Sequence, residues 1–579
     1  MAEKNIEQIR HTLAHLTVAA VRELWPGSQN AIGPAIDNGF YQDFEIAGTV
    51  TDADLPKIEA KMRELLPTWT GFEKKEVNKE EALKEFAWNT YKSELIEEFA
   101  GQGKKITFHN APGLVDLCKG GHCENPAKDI APDSFKLDRV AGAYWRGDQK
   151  NKMLTRIYGL AFASKAELDA YLLQREEAKK RDHRKIGKEL DLFTFSELVG
   201  SGLPLFTPRG TILREELNKL SQDLRLARGF QKVWIPHITK KDLYETSGHW
   251  AKFGDELFLV KSQETSDELV MKPMNCPHHQ QIYASKPRSY RDLPIKYLET
   301  TTIYRDEKAG ELMGLSRVRA ITQDDSHIFC MPDQLDSIYS EVLAMVKEFY
   351  AAVDMPLKIR LSFSDPKAPE KYLGDKALWE KAETILRETA TRAGLQFYEA
   401  PGEAAFYGPK IDFMATDSLG REWQLATGQL DFVQPARFKL TYTDADGSLK
   451  TPIMIHLAIA GSLERFLSVY IEHTGGVFPL WLAPVQVAVL PVSDKHTGYG
   501  KGIFDSLRDQ NIRVELSEGD SLGKRIRKAK IEKIPYYIVV GDQEVADNTV
   551  TIENREGQKK TESIEKFIEK LKRDIAAHA

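Results

Sequence analysis

The chain has 579 residues, 42% of them hydrophobic and 29% charged, which is room for about three or four ordinary soluble globular domains. Its net charge of −6 leaves no global basic footprint, so a protein that coats nucleic acid is disfavoured, although local basic strips could still bind RNA. Four cysteines are too few for a disulfide scaffold and point to a reducing cytoplasm; the apolar runs are too short to span a bilayer, and the first residues carry no secretion signal.

Four regions differ in texture. Residues 1 to about 165 mix a helix, short strands and Gly/Pro turns, an α+β pattern. Ile6, Ile9, Leu13 and Leu16 form a stripe at helical spacing. His11 and His15, four apart, share a face that the helical wheel sets opposite this stripe, alongside Arg22. From about 166 to 190 the chain reads as one long polar linker helix, with mixed charges typical of a solvated face. Residues 191–480 alternate strand-like stretches, such as Leu357–Phe363 and Lys410–Met414, with helices such as Asp336–Ala352, which suggests an α+β domain on an antiparallel sheet. Residues 481–579 read as βαβ: strands at Val485–Val492, Ile512–Leu516 and Tyr536–Val540, and helices at Gly500–Asp509 and Leu522–Lys533. That alternation predicts a small α/β domain with a mostly parallel sheet.

The third region holds the densest chemistry. Arg305 follows the strand-like run Leu298–Tyr304 and precedes Asp306-Glu307, a glycine-bearing loop, and Arg317-Val318-Arg319. Strand, loop and strand would aim arginines into one cleft, and the planar guanidinium fork suits phosphate. Arg465 opens an apolar helix after Gly461-Ser462. Cys276, in Lys272-Pro273-Met274-Asn275-Cys276-Pro277, lies near these segments, as do His327, 22 residues after Arg305, and His456, nine before Arg465. Their spacing is that of no zinc finger, and only the neighbouring motifs suggest a three-ligand zinc with an open position. Near the N-terminus, His11-x3-His15 and Cys118-x3-His122 fit a second zinc site. They fit equally well two solvated histidines and an unrelated turn.

These segments resemble the class II aminoacyl-tRNA synthetases, and within them the threonyl-tRNA synthetase family, over essentially the whole chain. Gly229-Phe230 to Pro236 is similar to motif 1 with its dimer-interface proline, Arg305-Asp306-Glu307 with Arg317-Val318-Arg319 to motif 2, and Gly461-Ser462-Leu463-Glu464-Arg465 to motif 3. The resemblance implies an editing domain at 1–165, a linker helix at 166–190, a class II catalytic domain at 191–480 and an anticodon-binding domain at 481–579. It implies that Cys276, His327 and His456 hold one Zn2+ per subunit. Arg305, Glu307, Arg317, Gln424, Gln429 and Arg465 would bind ATP with Mg2+, and Gln323, Asp325, Tyr407 and Lys410 would join Arg305 and Arg465 as catalytic residues. His278 is an extra imidazole beside Cys276 where the family has glycine, which leaves it as an alternative ligand.

A zinc site suits threonine on physical grounds. Valine is nearly isosteric, and a site built to bind a hydroxyl rejects the analogue lacking it by roughly 10⁴-fold or more. Serine keeps both amine and hydroxyl and loses only a methyl, worth about 1–3 kcal/mol, so serine errors should need a hydrolytic site. The resemblance assigns that editing role to His11, His15, Lys92, Asp116, Cys118 and His122; because His, Lys and Asp can activate or position a water without a metal, the site is expected to be metal-free. Partners implied are threonine, ATP, tRNA(Thr) and a second copy in a homodimer, with no membrane. Lys524, Arg525, Arg527, Lys528 and Lys530 cluster on one helix of the anticodon region. Glu553 stands where the family has an arginine, leaving Arg555 to take over or the anticodon to be read differently. Many members begin with a ubiquitin-like module of about 60 residues, and this sequence starts directly at the editing region. The rival readings are another class II synthetase and a catalytically inactive, RNA-binding paralogue. The zinc triad speaks against the first, and retention of Arg305, Arg465 and all three zinc residues speaks against the second.

Overall fold

The structure, a computed structural model, describes residues 2–578 and divides into two compact units that meet in sequence at Glu177 and Ala178. In the first unit, helix Ala2–Leu24 packs on helix Leu55–Leu65 and on strand Gly39–Glu45. That strand belongs to a five-stranded antiparallel sheet with Gln29–Asn30, Ala35–Ile36, Phe135–Tyr144 and Met153–Ala161. A smaller sheet pairs Glu73–Val77, Ile106–Ala111 and Leu114–Leu117. Ile9, Leu13 and Leu16 are buried with Phe40, Phe44 and Trp69, as the helical stripe predicts. The opposite face is not solvated: His15 is only 5% exposed, because the segment after Leu117 covers it.

The linker is two helices, Lys165–Lys180 and His183–Glu189, and not one. Asp182 makes the break. Its backbone leaves the helical region (φ −49°, ψ 120°), and its carboxylate accepts the Arg184 N–H, capping a new helix.

The second unit is built on an eight-stranded sheet. Its order is Gln231–Lys232, Ile295–Tyr304, Ala320–Cys330, Ile453–Ser462, Glu422–Asp431, Lys410–Thr416, Leu357–Phe363, Phe397–Pro401. Every pair is antiparallel except the two outermost. Side chains alternate across the sheet. Ile453, Ile455, Leu457 and Ile459 join the core beneath helices Pro208–Leu226, Leu335–Ala352 and Leu463–Thr474, while Met454 belongs to the cluster on the other side. His456, in phase with Met454, is turned away from the main core by the same alternation.

The C-terminal sheet runs Val514–Leu516, Val487–Pro491, Tyr536–Val540, Val550–Asn554, Lys559–Glu562. It is mixed, not mostly parallel: the first two pairings are parallel and the last two antiparallel. Only Gly541–Thr549 connects Val540 to Val550, too short a path for a parallel crossover, which needs about a dozen residues or more. No helix among the described residues is long and apolar enough to cross a membrane.

Candidate active site and a second histidine–cysteine cluster

Cys276 opens helix Cys276–Ala284, which packs on the sheet face that carries His456. His327 and His456 sit opposite each other in register on neighbouring central strands. All three are buried, and their candidate donor atoms lie within 4.8 Å of one another. His327 Nε2 is 3.0 Å from His456 Nδ1. The outer nitrogens are already held: His327 Nδ1 is 2.8 Å from His279 Nδ1, and His456 Nε2 is 2.9 Å from Asp431 Oδ2. Behind His279 stands Glu299, 3.5 Å away. Each ligand histidine thus turns one nitrogen outward to a partner and the other inward. Two neutral imidazoles and a thiol that converge this way suit zinc with an open position. Burial pushes the Cys276 thiol up and the His327 imidazole down, so a metal ion is what would replace the thiol proton. His278 is outside this group; it is buried with neither ring nitrogen partnered.

Arg305 ends strand Ile295–Tyr304. Its N–H donates to Arg319 O, and its guanidinium meets Met274 Sδ at 3.2 Å. Arg465 lies in the first turn of helix Leu463–Thr474, and Ser462 caps that helix by accepting the Arg465 N–H. Gly461 makes the approach possible. Its φ is +74°, and a Cβ there would come within 2.4 Å of Leu425 O. Buried Asp324 gathers the N–H groups of Ile459, Ala460 and Gly461, fixing the bulge between the two motif-bearing strands. Neither Arg305 nor Arg465 forms an ion pair with a carboxylate among the described residues. Arg317 differs: it bonds Glu307 at 2.7 Å and Glu311 at 2.6 Å. Glu307 is thus bonded to Arg317, while Arg305 has only the longer-range charges of Glu307 and Glu256 to offset its burial.

The remaining candidates fall into two groups. Tyr407 is buried, its ring 5.0 Å from that of His456. Burial, then Cys276, Asp431 and Asp325, hold its hydroxyl well above the ordinary value. Asp325 accepts from Asn275 Nδ2 at 3.0 Å and lies 3.8 Å from His327 Nε2. Gln429 is in register with His456 and donates to Gly408 O. Gln323 pairs with Ser462 at the edge of the bulge. Lys410 and Gln424 instead converge on buried Asp412, at 3.1 and 2.7 Å, which Arg360 also holds. Asp431 and Glu299 carry no spacing signal in the sequence and reach the site through strand register, while His279 arrives on helix Cys276–Ala284, three residues after Cys276.

In the first unit, His11, His15, Cys118 and His122 also bring their donor atoms within 4.8 Å. Gly120 and Gly121, both at positive φ, turn the chain so that Cys118 and His122 face helix Ala2–Leu24. Cys118 Sγ is 3.4 Å from His11 Nε2 and 3.6 Å from His122 Nε2, and it accepts the Gly120 N–H. Asp116 receives Lys92 Nζ at 2.7 Å and His15 Nδ1 at 2.9 Å. Burial opposes the Cys118 thiolate, yet hydrogen bonds from His11, His122 and His15 bring the thiol down to about 3. Burial also opposes the His15 cation, but Asp116 and Cys118 raise it to about 9, while burial lowers His122 to about 4. All six predicted residues share this pocket, so the reading as solvated histidines fails. His109 and Phe72, both against the His122 ring, join them without any sequence signal.

In the C-terminal region, Lys524, Arg527, Lys528 and Lys530 are exposed on helix Leu522–Ile531. Arg525 is not part of that patch; it is buried and bonded to Asp520, Ser517 and Pro491 carbonyls. Arg555 spends its fork on Lys533 O and Phe478 O, which leaves it unsuited to replace the missing arginine. Glu553 is held between Lys530 and Lys559.

The antiparallel sheet that carries Arg305 and Arg465 just beyond its strand ends is the core of a class II aminoacyl-tRNA synthetase: residues 258–474 match the tRNA synthetase class II core domain (G, H, P, S and T), and 486–574 match an anticodon binding domain. The threonine–tRNA ligase of Rubrobacter xylanophilus is 44% identical over 98% of this chain and 89% of its own length, and that of Gloeobacter violaceus 46% identical over 96% and 90%. The chain belongs to the threonine–tRNA ligase family. Among solved structures, a Cryptosporidium parvum threonyl-tRNA synthetase RNA-binding domain is similar with a TM-score of 0.65 at 34% identity, covering 68% of this chain and 98% of that one. A Giardia lamblia prolyl-tRNA synthetase at 18% identity (TM-score 0.55, 70% and 80% covered) shares the fold.

Proposed function

We propose that this chain activates threonine with ATP and transfers it to tRNA(Thr), and that its first unit hydrolyses Ser-tRNA(Thr). The observation that carries the activation reading is the buried Cys276–His327–His456 donor set, in the same unit as Arg305 and Arg465, neither of which is ion-paired with a carboxylate among the described residues. A threonine carboxylate oxygen attacks the α-phosphorus of ATP, and pyrophosphate leaves. Arg305 and Arg465, with Mg2+, neutralise the charge that builds on the phosphate oxygens. Cys276, His327 and His456 would hold zinc, which when bound would supply Lewis-acid chemistry toward the amino acid. Tyr407 and Asp325 line the same site, and Gln323, Gln424, Gln429 and Lys410 complete the substrate and nucleotide contacts. Glu307 and Arg317 act as a pair at the nucleotide.

In the first unit, His122 remains neutral at physiological pH and is suited to take a proton from water as it attacks the ester carbonyl, with the alkoxide leaving on the tRNA ribose. Lys92, Asp116, His11, His15 and Cys118 orient that pocket without metal. We assign 1–165 to editing, 166–190 to the linker, 191–480 to catalysis and 481–579 to anticodon binding. The protein works in the cytoplasm as a homodimer through Gly229–Pro236, a reading supported by Trp234, which is 76% exposed beside Pro236.

The test is ATP–pyrophosphate exchange by purified protein. Exchange should appear with threonine, be weak with serine and weaker with valine, and disappear on zinc chelation. A zinc-loaded preparation without threonine-dependent exchange would leave the inactive-paralogue reading standing.

A further inference from the structure

We propose that His183 is a positioning residue that ties together the two segments carrying Arg305 and Arg465; the proposal rests on the activation chemistry above. His183 opens helix His183–Glu189 and is 3% exposed. Its Nε2 lies 3.1 Å from the backbone nitrogen of Leu315. A backbone N–H can only donate, so Nε2 accepts, and the proton of the neutral ring sits on Nδ1. Nδ1 is 2.7 Å from Glu472 Oε1, to which it donates. Both nitrogens are thereby committed. The grouping of Asp182, His183 and Glu472, whose ligand atoms also lie close together, has no imidazole lone pair to give a metal.

The two partners lie on different functional segments. Leu315 belongs to the loop between Arg305 and Arg317, where it is fully buried in the main core. Glu472 is in the last turn of helix Leu463–Thr474, whose first turn carries Arg465. One imidazole therefore fixes the nucleotide loop against the helix that presents the second arginine. The sequence makes room for it: Gly314 has φ +52°, and a Cβ there would stand 2.3 Å from His183 Nε2. The His183 N–H also donates to Oε1 of Glu472, at 3.2 Å, and Arg421 holds the other carboxylate oxygen at 2.7 Å. A second stitch, Ser316 Oγ to Ser468 Oγ at 2.9 Å, joins the same loop to the same helix. Two phosphate-binding forks on separate segments act together only if their spacing is held, and misplacement by about 1 Å can cost two orders of magnitude in rate.

Two substitutions separate the two bonds. In His183→Asn the amide can still donate to Glu472 but is too short to reach Leu315. In His183→Gln the side-chain oxygen can take the place of Nε2. Exchange kinetics and thermal midpoints are measured for wild type and both variants. His183→Asn should raise KM for ATP about tenfold, with KM for threonine within about twofold and the melting point little changed, and His183→Gln should recover most of the loss. The proposal is overturned if both variants keep the wild-type KM for ATP. It is equally overturned if both melt early and lose ATP and threonine alike, which would make the imidazole a packing element. If wild type itself shows no threonine-dependent exchange, the activation reading fails and takes this one with it.

Discussion

Asp431 touches no candidate ligand atom of the metal, yet it decides which nitrogen of His456 faces inward. Its Oδ2 accepts from His456 Nε2–H, while Oδ1 is fixed by the backbone N–H groups of Val433 and Gln434. Such outer partners raise ligand basicity and lock the ring, and their loss typically costs about 10- to 100-fold in metal affinity. Asp431→Ala should therefore weaken zinc binding by that factor in chelator competition, with the fold intact by circular dichroism. Unchanged affinity would mean that His456 is oriented by packing alone. Residues of this kind explain what the sequence could not reveal. Cys276, His327 and His456 became visible through the motifs around them. Asp431 lies 25 residues before His456, and only the pairing of Glu422–Asp431 with Ile453–Ser462 brings the two together.

Elements were legible where one periodicity dominated. Leu357–Phe363 is a strand at the expected residues, and Asp336–Ala352 is helical from one residue earlier. The long linker helix failed because charge pattern does not reveal that Asp182 will cap instead of continuing. The apparent polar face of Ala2–Leu24 failed because its cover comes from about a hundred residues away. That helix, strand Leu114–Leu117 and helix Thr90–Gly101 meet through His15, Asp116 and Lys92, which has a pH consequence. Asp116 is held well below the usual carboxylate range; burial opposes this, but Lys92 and His15 outweigh it. Cys118 is depressed to about 3 and His122 to about 4. A depressed group lends stability above its unfolded value and loses it as pH falls toward its folded value. His15, raised to about 9, is protonated in both states below about pH 6.5 and is silent there. Between pH 6.5 and 4 the Cys118 and His122 shifts act in one direction, while Asp116 is ionised in both states and contributes only below about pH 4. The first unit should thus lose thermal stability as pH falls. In Cys118→Ser that dependence should be shallower. A thermal midpoint flat across this range would show that the network is not charged as described.

At the scale of the whole molecule, the two histidine–cysteine clusters belong to units with separate cores, and their outer partners differ in kind. In the second unit His327 and His456 each have one nitrogen held by an outer partner, and their inward nitrogens meet each other at 3.0 Å beside the raised Cys276 thiol. In the first, the Cys118 sulfur is already hydrogen-bonded with His11, His122 and the Gly120 N–H, and His15 Nδ1 lies 2.9 Å from Asp116 Oδ2. A cluster whose sulfur is already held by several hydrogen bonds gains less from a metal than one whose inward nitrogens share a single hydrogen bond. The chain should therefore bind one zinc, and His11→Ala should retain it; two zincs, with one lost in that variant, would contradict the metal-free reading. The chemistry should divide along the same line. His122→Ala should slow Ser-tRNA(Thr) hydrolysis by about 10²- to 10⁴-fold, the range for loss of a general base, while threonine-dependent exchange stays within about twofold of wild type. Hydrolysis at the wild-type rate would move the base to His109, which faces the His122 ring, and loss of exchange would show that the two sites do not work independently.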